Sequence, residues 1–162
     1  MCEFAKDLAN FLKELESIDS ADGLPAGAQN FHRGGDLAVY DTQTSDAIKD
    51  VSGGYGQNLL LEIWELALST KHTGSCVWVH GDVAVANLLA KNGKVCGVID
   101  FGGMGTGDPS CDYVMAWTFF DKKSRKVFLM SWELASTPLI APGDGVLWKA
   151  LITYGGTANH LD

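Results

Sequence analysis

Asn92-Gly93 stands between two short apolar runs, Leu88-Leu89-Ala90 and Val95-Cys96-Gly97-Val98-Ile99. Asparagine followed by glycine in such a setting is the strongest short signal for a two-residue hairpin turn. With these two residues as the turn, Lys91 faces Lys94. Counting outward pairs Ala90 with Val95, Leu89 with Cys96, Leu88 with Gly97 and Asn87 with Val98. Asp100 then becomes the diagonal neighbour of Asn87 on one face of the hairpin, because strand side chains alternate with period two.

The residues around this hairpin carry chemistry. His80-Gly81-Asp82 precedes it, Asn87 follows the aspartate by five positions, and Ile99-Asp100-Phe101-Gly102 leaves it. An amide oxygen beside a carboxylate is a pair of hard oxygen donors of the kind Mg²⁺ takes when phosphates complete its shell. A further carboxylate in the loop entering the hairpin can accept or orient the proton of an attacking hydroxyl. Protein kinases share this layout: a catalytic-loop aspartate and asparagine, then Asp-Phe-Gly. Gly81 occupies the place where those kinases carry arginine.

Three segments together, His80 to Leu89, Val98 to Gly102 and Gly107-Asp108-Pro109-Ser110-Cys111-Asp112, resemble the aminoglycoside phosphotransferase family, relatives of choline kinases within the protein kinase-like superfamily. The similarity runs from about Phe4 to about Thr153. It includes Asn30-Phe31-His32-Arg33-Gly34-Gly35 and Leu37-Ala38-Val39-Tyr40-Asp41, which look like a subfamily of antibiotic-type kinases. The resemblance implies a kinase-like fold, ATP or GTP as phosphate donor, Mg²⁺, and a small hydroxyl-bearing acceptor of the aminoglycoside or amino-alcohol type. Carried over position by position, Asp82 matches the catalytic base and Asn87 and Asp100 match the metal ligands. His80, Asp108 and Asp112 match supports of the catalytic loop.

The chain departs from that family upstream of His80, where no Val-Ala-Ile-Lys-like strand occurs. The expectation is therefore a single domain over residues 1–162, the C-terminal lobe of such a kinase, with the nucleotide-clamping lobe absent. Gly53-Gly54-Tyr55-Gly56 and Gly102 through Gly107 lack the flanking strand and lysine of a phosphate loop and read as plain loops. Glu16 stands where many relatives have histidine, and Val85-Ala86 replace a more usual small or proline-containing pair.

The expected fold class is α+β, mainly helical, with a small β-hairpin carrying the catalytic and metal residues. Phe4, Leu8, Phe11, Leu12, Leu15 and Ile18 recur at helical spacing. Asp22 to Gly35 is a turn-rich loop, and Thr42 to Val51 and Asn58 to Ser69 read as helices. Cys76 to Val79 is a short buried strand. Asp108 and Pro109 have the chemistry of an N-cap and first helical position, starting a helix through Phe119. Further helices are expected from Lys122 to about Leu134 and from Gly145 to Tyr154, with a proline-bearing loop over Ala135 to Asp144 between them.

Composition narrows the function classes. Twelve basic residues against twenty acidic ones give a net charge of −8. Such a balance disfavours nucleic acid, whose binding depends on Lys and Arg, and it suits a cationic acceptor equally as it suits plain solubility. No apolar stretch has membrane length, and the first residues form an acidic amphipathic helix, so a cytoplasmic protein is expected. Cys2, Cys76, Cys96 and Cys111 show no metal spacing, and most lie in apolar segments, which predicts buried free thiols. His32, His72, His80 and His160 are too dispersed for a metal site.

Each singled-out residue has a structural alternative. Asp82 alone would pass as a turn former and Asp100 as a strand-end cap; their placement with Asn87 is what favours chemistry. His80 is read as a brace, Asp108 as a helix cap, and Asp112 as a buried carboxylate that needs a partner and ties down the catalytic loop. His32 and Arg33 either touch acceptor or phosphate or stabilise their own loop. The five tryptophans are read as core. Without a donor clamp the chain alone is expected to be an inactive piece of an active kinase. The alternative is a noncatalytic binding module derived from such a lobe. In either case, apolar surface left by the missing lobe is expected to drive homodimerisation.

Overall fold

A computed structural model of the chain describes residues 1–50 and 57–131. The expected loops at Gly53–Gly56 and Ala135–Asp144 and the helix Gly145–Tyr154 lie outside the described residues, as do Trp132, Trp148, His160 and the expected helix ends at Val51 and Leu134. What is described is mainly helical α+β with two small antiparallel sheets.

Helix α1 (Cys2–Ser17) buries Phe4, Ala5, Leu8, Ala9, Leu12 and Leu15, a stripe at helical spacing with charged residues opposite. It ends where Ile18 turns extended, and Asp19 and Ser20 then accept the amides of Ala21 and Gly23. The stripe packs against α5 (Lys122–Ser131), whose Phe128 and Leu129 join Val83, Leu88, Tyr113, Met115, Ala116 and Phe120 in the main core. Two polar contacts fix α1 against the hairpin: Asp7 accepts the Val95 amide at 3.3 Å, and Glu3 meets Lys94 at 3.2 Å.

A second, smaller core joins α2 (Asp41–Asp50) and α3 (Gln57–Ser69) through Leu37, Ile48, Trp64 and Ala67. The Trp64 indole N–H donates to Asp41 Oδ1 at 2.7 Å, satisfying a polar group that burial would otherwise strand. No helix among the described residues is long and apolar enough to cross a membrane.

The strands are short. β2 (Leu88–Lys91) and β3 (Lys94–Val98) form the expected hairpin, with Lys91 opposite Lys94. Both turn residues have positive φ, 53° at Asn92 and 76° at Gly93, the geometry a type I′ turn requires. The register differs from the expected one. A bulge falls beyond the Ala90–Val95 pair, so Leu89 faces Gly97 and Leu88 faces Val98. Cys96 is the extra residue that a bulge leaves unpaired, and Asn87 moves opposite Ile99, whose amide donates to the Asn87 carbonyl at 2.9 Å.

The second sheet pairs β1 (Val77–Val79) with β4 (Gly105–Gly107), a strand inside the glycine cluster that reads in sequence as a loop. Its other edge is covered by Leu24 to Ala26, which exchange backbone hydrogen bonds with Thr106. Beyond Asp108 the backbone takes a 3₁₀ path over Pro109–Val114 before α4 (Met115–Thr118), in place of one continuous helix. The cysteines also depart from expectation: all four are free thiols, but only Cys111 is buried, and Cys76 and Cys96 are exposed.

Glu16 sits half-buried on α1, where the Tyr113 hydroxyl donates to its Oε1 at 3.1 Å. Burial lifts its carboxyl from the ordinary 4.5 to about 7, against the pull of the Tyr113 hydrogen bond. The folded state therefore keeps a proton that the unfolded chain releases, and stability from this group, full below pH 4.5, is lost as pH rises through about 7. Allowing for solvent screening at this half-buried site, the loss is on the order of 1–2 kcal/mol. Glu16→Gln, which keeps an acceptor for Tyr113, is expected to flatten that slope. Urea unfolding at pH 5 and pH 8 measures it, and an unchanged slope in the variant would contradict the assignment.

Candidate active site

The catalytic loop begins where β1 ends, and its path is fixed from beneath by one side chain. Asp112 lies in the 3₁₀ segment and is 2% exposed. Its Oδ2 accepts the His80 amide at 2.7 Å and its Oδ1 the Gly81 amide at 2.8 Å. Burial pushes this carboxyl up to about 6, and the two amides pull the other way.

His80 is fully buried, its ring 4.6 Å from that of Phe101. The Asp82 amide donates to its Nδ1 at 3.3 Å, so its Nε2–H is the donor to the Ile99 carbonyl at 3.0 Å. Ile99 is thus held at both backbone groups, by His80 on one side and by Asn87 on the other.

Between these anchors Gly81 adopts φ 79°. A Cβ there would lie 2.1 Å from the Gly103 carbonyl oxygen and 3.1 Å from Arg33 Cβ. No side chain fits this position, which accounts for glycine where protein kinases have arginine.

Asp82 follows, half-buried, and its Oδ2 accepts the Asn87 Nδ2–H at 2.9 Å. The same amide nitrogen donates to the Asp82 carbonyl at 2.9 Å. Both nitrogen bonds go to Asp82, which turns the Asn87 oxygen away from it. Asp100, the residue after the doubly held Ile99, is exposed and left-handed at φ 63°, with Oδ1 accepting the Gly102 amide at 3.4 Å. The structure therefore joins Asp82 to Asn87 directly and sets Asp100 one residue from the Asn87–Ile99 bond. Asp108 caps Ser110 at 2.9 Å, faces His72 at 3.8 Å, and its amide donates to Gly34 at 2.8 Å.

The Asn87 oxygen and the Asp100 carboxylate are hard oxygen donors suited to Mg²⁺. Among the described residues no cluster of three or more His, Cys, Asp or Glu is arranged to hold a metal by itself. Two such donors would leave the rest of a Mg²⁺ shell to phosphates and water.

The turn-rich loop over Asp22 to Gly35, which carries His32 and Arg33, borders this group. Asn30, 1% exposed, accepts the Gly27 amide at 2.9 Å and donates to the Arg33 carbonyl at 3.0 Å. It clamps a bend in which Phe31 and His32 both have positive φ, 55° and 59°. Two consecutive non-glycine residues in that region cost roughly 1–2 kcal/mol each. The 3₁₀ turn Ala28–Asn30 packs on the turn Phe101–Gly103 after Asp100. Asparagine among other turn formers gives no sign in sequence of being a clamp. A concavity of about 270 Å³ is lined by Asp36, Lys71, His72 and Asp108 among others, and by none of Asp82, Asn87 or Asp100.

The model of a family described as phosphotransferase enzymes matches residues 3–143. A curated relative, the uncharacterized protein YcbJ of Bacillus subtilis (strain 168), is 27% identical over 137 residues, 82% of this chain and 44% of that protein. Among solved structures, the gentamicin complex of APH(2")-IIa is 26% identical with a TM-score of 0.52, over 81% of this chain and 47% of that one. Its streptomycin-ATP ternary complex gives 24% and 0.56, over 91% and 51%. The apoenzyme of macrolide 2'-phosphotransferase MphH from Brachybacterium faecium is 17% identical with a TM-score of 0.63, over 96% and 51%, and carries the fold alone. The chain thus spans about half the length of the proteins it matches.

Two substitutions test the construction of the loop. Asp112→Asn keeps one acceptor but sets an NH₂ against a buried amide, so it is expected to cost about 2–3 kcal/mol and to speed hydrogen exchange at His80 and Gly81. Gly81→Ala, forced against the Gly103 carbonyl, is expected to cost more than about 2 kcal/mol. Urea unfolding followed by tryptophan fluorescence reads both, and wild-type midpoints would refute the account.

Proposed function

This chain belongs to the phosphotransferase enzyme family, and from that premise we propose that it is the catalytic, acceptor-binding lobe of a small-molecule kinase. The reading is carried by one observation, the Asn87 amide bonded to Asp82 Oδ2 at 2.9 Å with Asp100 one residue beyond the Asn87–Ile99 hydrogen bond. ATP or GTP is the donor, and the acceptor is an aminoglycoside-like molecule or amino alcohol. The nucleotide-bound and aminoglycoside-bound structures of similar proteins support both classes.

In this mechanism Asp82 is the base. Asn87 holds Oδ2, which leaves Oδ1 to receive the proton of the acceptor hydroxyl as its oxygen bonds to the γ-phosphorus. The bond from that phosphorus to the bridging oxygen breaks, and the nucleoside diphosphate leaves with the electron pair. Asn87 Oδ1 and Asp100 would hold Mg²⁺, which when bound neutralises charge on the phosphates. Asp112 and His80 fix the loop so that the base is in place before substrate arrives.

Asp82→Asn keeps the bond to Asn87 and removes the proton acceptor. In a protein extended upstream by a nucleotide-clamping lobe, phosphate transfer from ATP or GTP to an aminoglycoside and amino-alcohol panel, read by phosphorus NMR, is expected to fall by about 10²–10⁴ without loss of fold. Transfer at the wild-type rate in that variant would overturn the base assignment.

A second reading, a noncatalytic interaction module, draws on exposed Leu89, Ile99, Phe101 and Met104 along and just beyond the hairpin. Apolar surface of this kind favours self-association. The 162-residue chain is then expected to be a homodimer, and a light-scattering mass equal to one chain would exclude it.

A further inference from the structure

Phe31 combines a strained backbone with almost no burial. It is left-handed at φ 55°, and at 68% exposure it is the most exposed large apolar side chain among the described residues. Glycine would satisfy this backbone and a polar side chain would satisfy solvent. The fold instead holds it in place. Asn30 clamps the bend, the Tyr40 hydroxyl donates to the Phe31 carbonyl, the His32 amide donates to Gly27 at 2.7 Å, and the Asp108 amide holds Gly34 at 2.8 Å.

The held loop lies against the proposed active site from two directions. Arg33, two residues on, brings its Cβ to within 3.1 Å of where a Cβ on Gly81 would stand, one residue before Asp82. The Asn30 amide reaches to 2.4 Å of where a Cβ on Gly105 would stand, and its turn packs on Phe101–Gly103. An exposed aromatic side chain is thereby carried on a loop whose backbone is held and whose neighbours on both sides touch the turns that flank the site.

We propose that Phe31 is a specificity residue that selects ring-bearing acceptors over open-chain ones. The inference rests on the kinase reading and deepens it. A saturated ring carrying hydroxyls has an apolar C–H face that stacks on an aromatic ring and a polar edge that stays solvated, and an ammonium on that ring adds a cation–π attraction. An isolated aromatic suits that chemistry. A lipid would need a continuous apolar patch, which the neighbouring Gln29, His32 and Arg33 do not form. An open-chain polycation gains only the charge term.

The test titrates the full chain with gentamicin and with spermine, a polycation without rings, by calorimetry, using Phe31→Ala, Phe31→Gly and Phe31→Trp. Gentamicin affinity is expected to fall at least tenfold in the alanine and glycine variants and to stay within about twofold in the tryptophan variant. Spermine affinity, which loses only the cation–π attraction, is expected to fall by about fivefold at most and less than that of gentamicin, and Phe31→Gly is expected to unfold at higher urea than wild type. Equal gentamicin binding by Phe31→Ala, absence of gentamicin binding, or parallel loss of both ligands would overturn the proposal. Mn²⁺ and ADP added to the same samples separate the two readings. Ring-selective gentamicin binding without nucleotide broadening at Asp82 and Asp100 retires the kinase and keeps the platform, whereas that broadening together with gentamicin binding that ignores Phe31 does the reverse.

Discussion

Asp112 is the interaction on which the rest of the site depends. A carboxylate that is 2% exposed is costly to keep charged, and its compensation here is two short hydrogen bonds from consecutive backbone amides, at His80 and Gly81. Those amides would otherwise be buried donors without acceptors, in a loop where Gly81 has already left the ordinary backbone range. One side chain therefore satisfies two orphan donors and sets the direction in which the chain enters Asp82. Cys111 beside it is buried and its thiol is pushed up strongly by that burial, so it remains a neutral neighbour.

From that anchor the geometry passes outward through backbone groups. His80 receives the Asp82 amide and donates to Ile99, Ile99 donates to Asn87, and Asn87 returns to Asp82. The closed circuit holds a carboxylate and an amide with side-chain precision while Asp100 stays exposed at its edge. Its support is the α1–α5 core, which reaches the site through Val83 and Leu88, the residues that follow Asp82 and Asn87.

Features set by local chemistry were legible in the sequence, and features set by pairing were not. Asn92-Gly93 dictated the turn because few other dipeptides tolerate two positive φ values, and the stripe on α1 dictated its buried face. Asp108-Pro109 announced a cap, but nothing local distinguishes a 3₁₀ path from an α-helix after it. The hairpin register could not be counted, since the bulge at Cys96 answers to the packing of both strands. β4 was missed because Gly105-Thr106-Gly107 has no apolar pattern; its glycines are there for close approach, with a Cβ on Gly107 falling 2.2 Å from the Gly34 carbonyl oxygen. Asp82, Asn87 and Asp100 were legible as a set only because their order along the chain is itself a pattern; that Asn87 bonds Asp82, rather than pairing diagonally with Asp100, required coordinates.

The central claim, that these three residues form one metal-and-phosphate corner, is tested most directly by paramagnetic broadening of the amide spectrum with Mn²⁺ and ADP. The account predicts the strongest broadening at Asp82, Asn87 and Asp100 to Gly102, abolished by Asp100→Asn. Broadening centred on the acidic surface of α1, or unaltered in that variant, would contradict it.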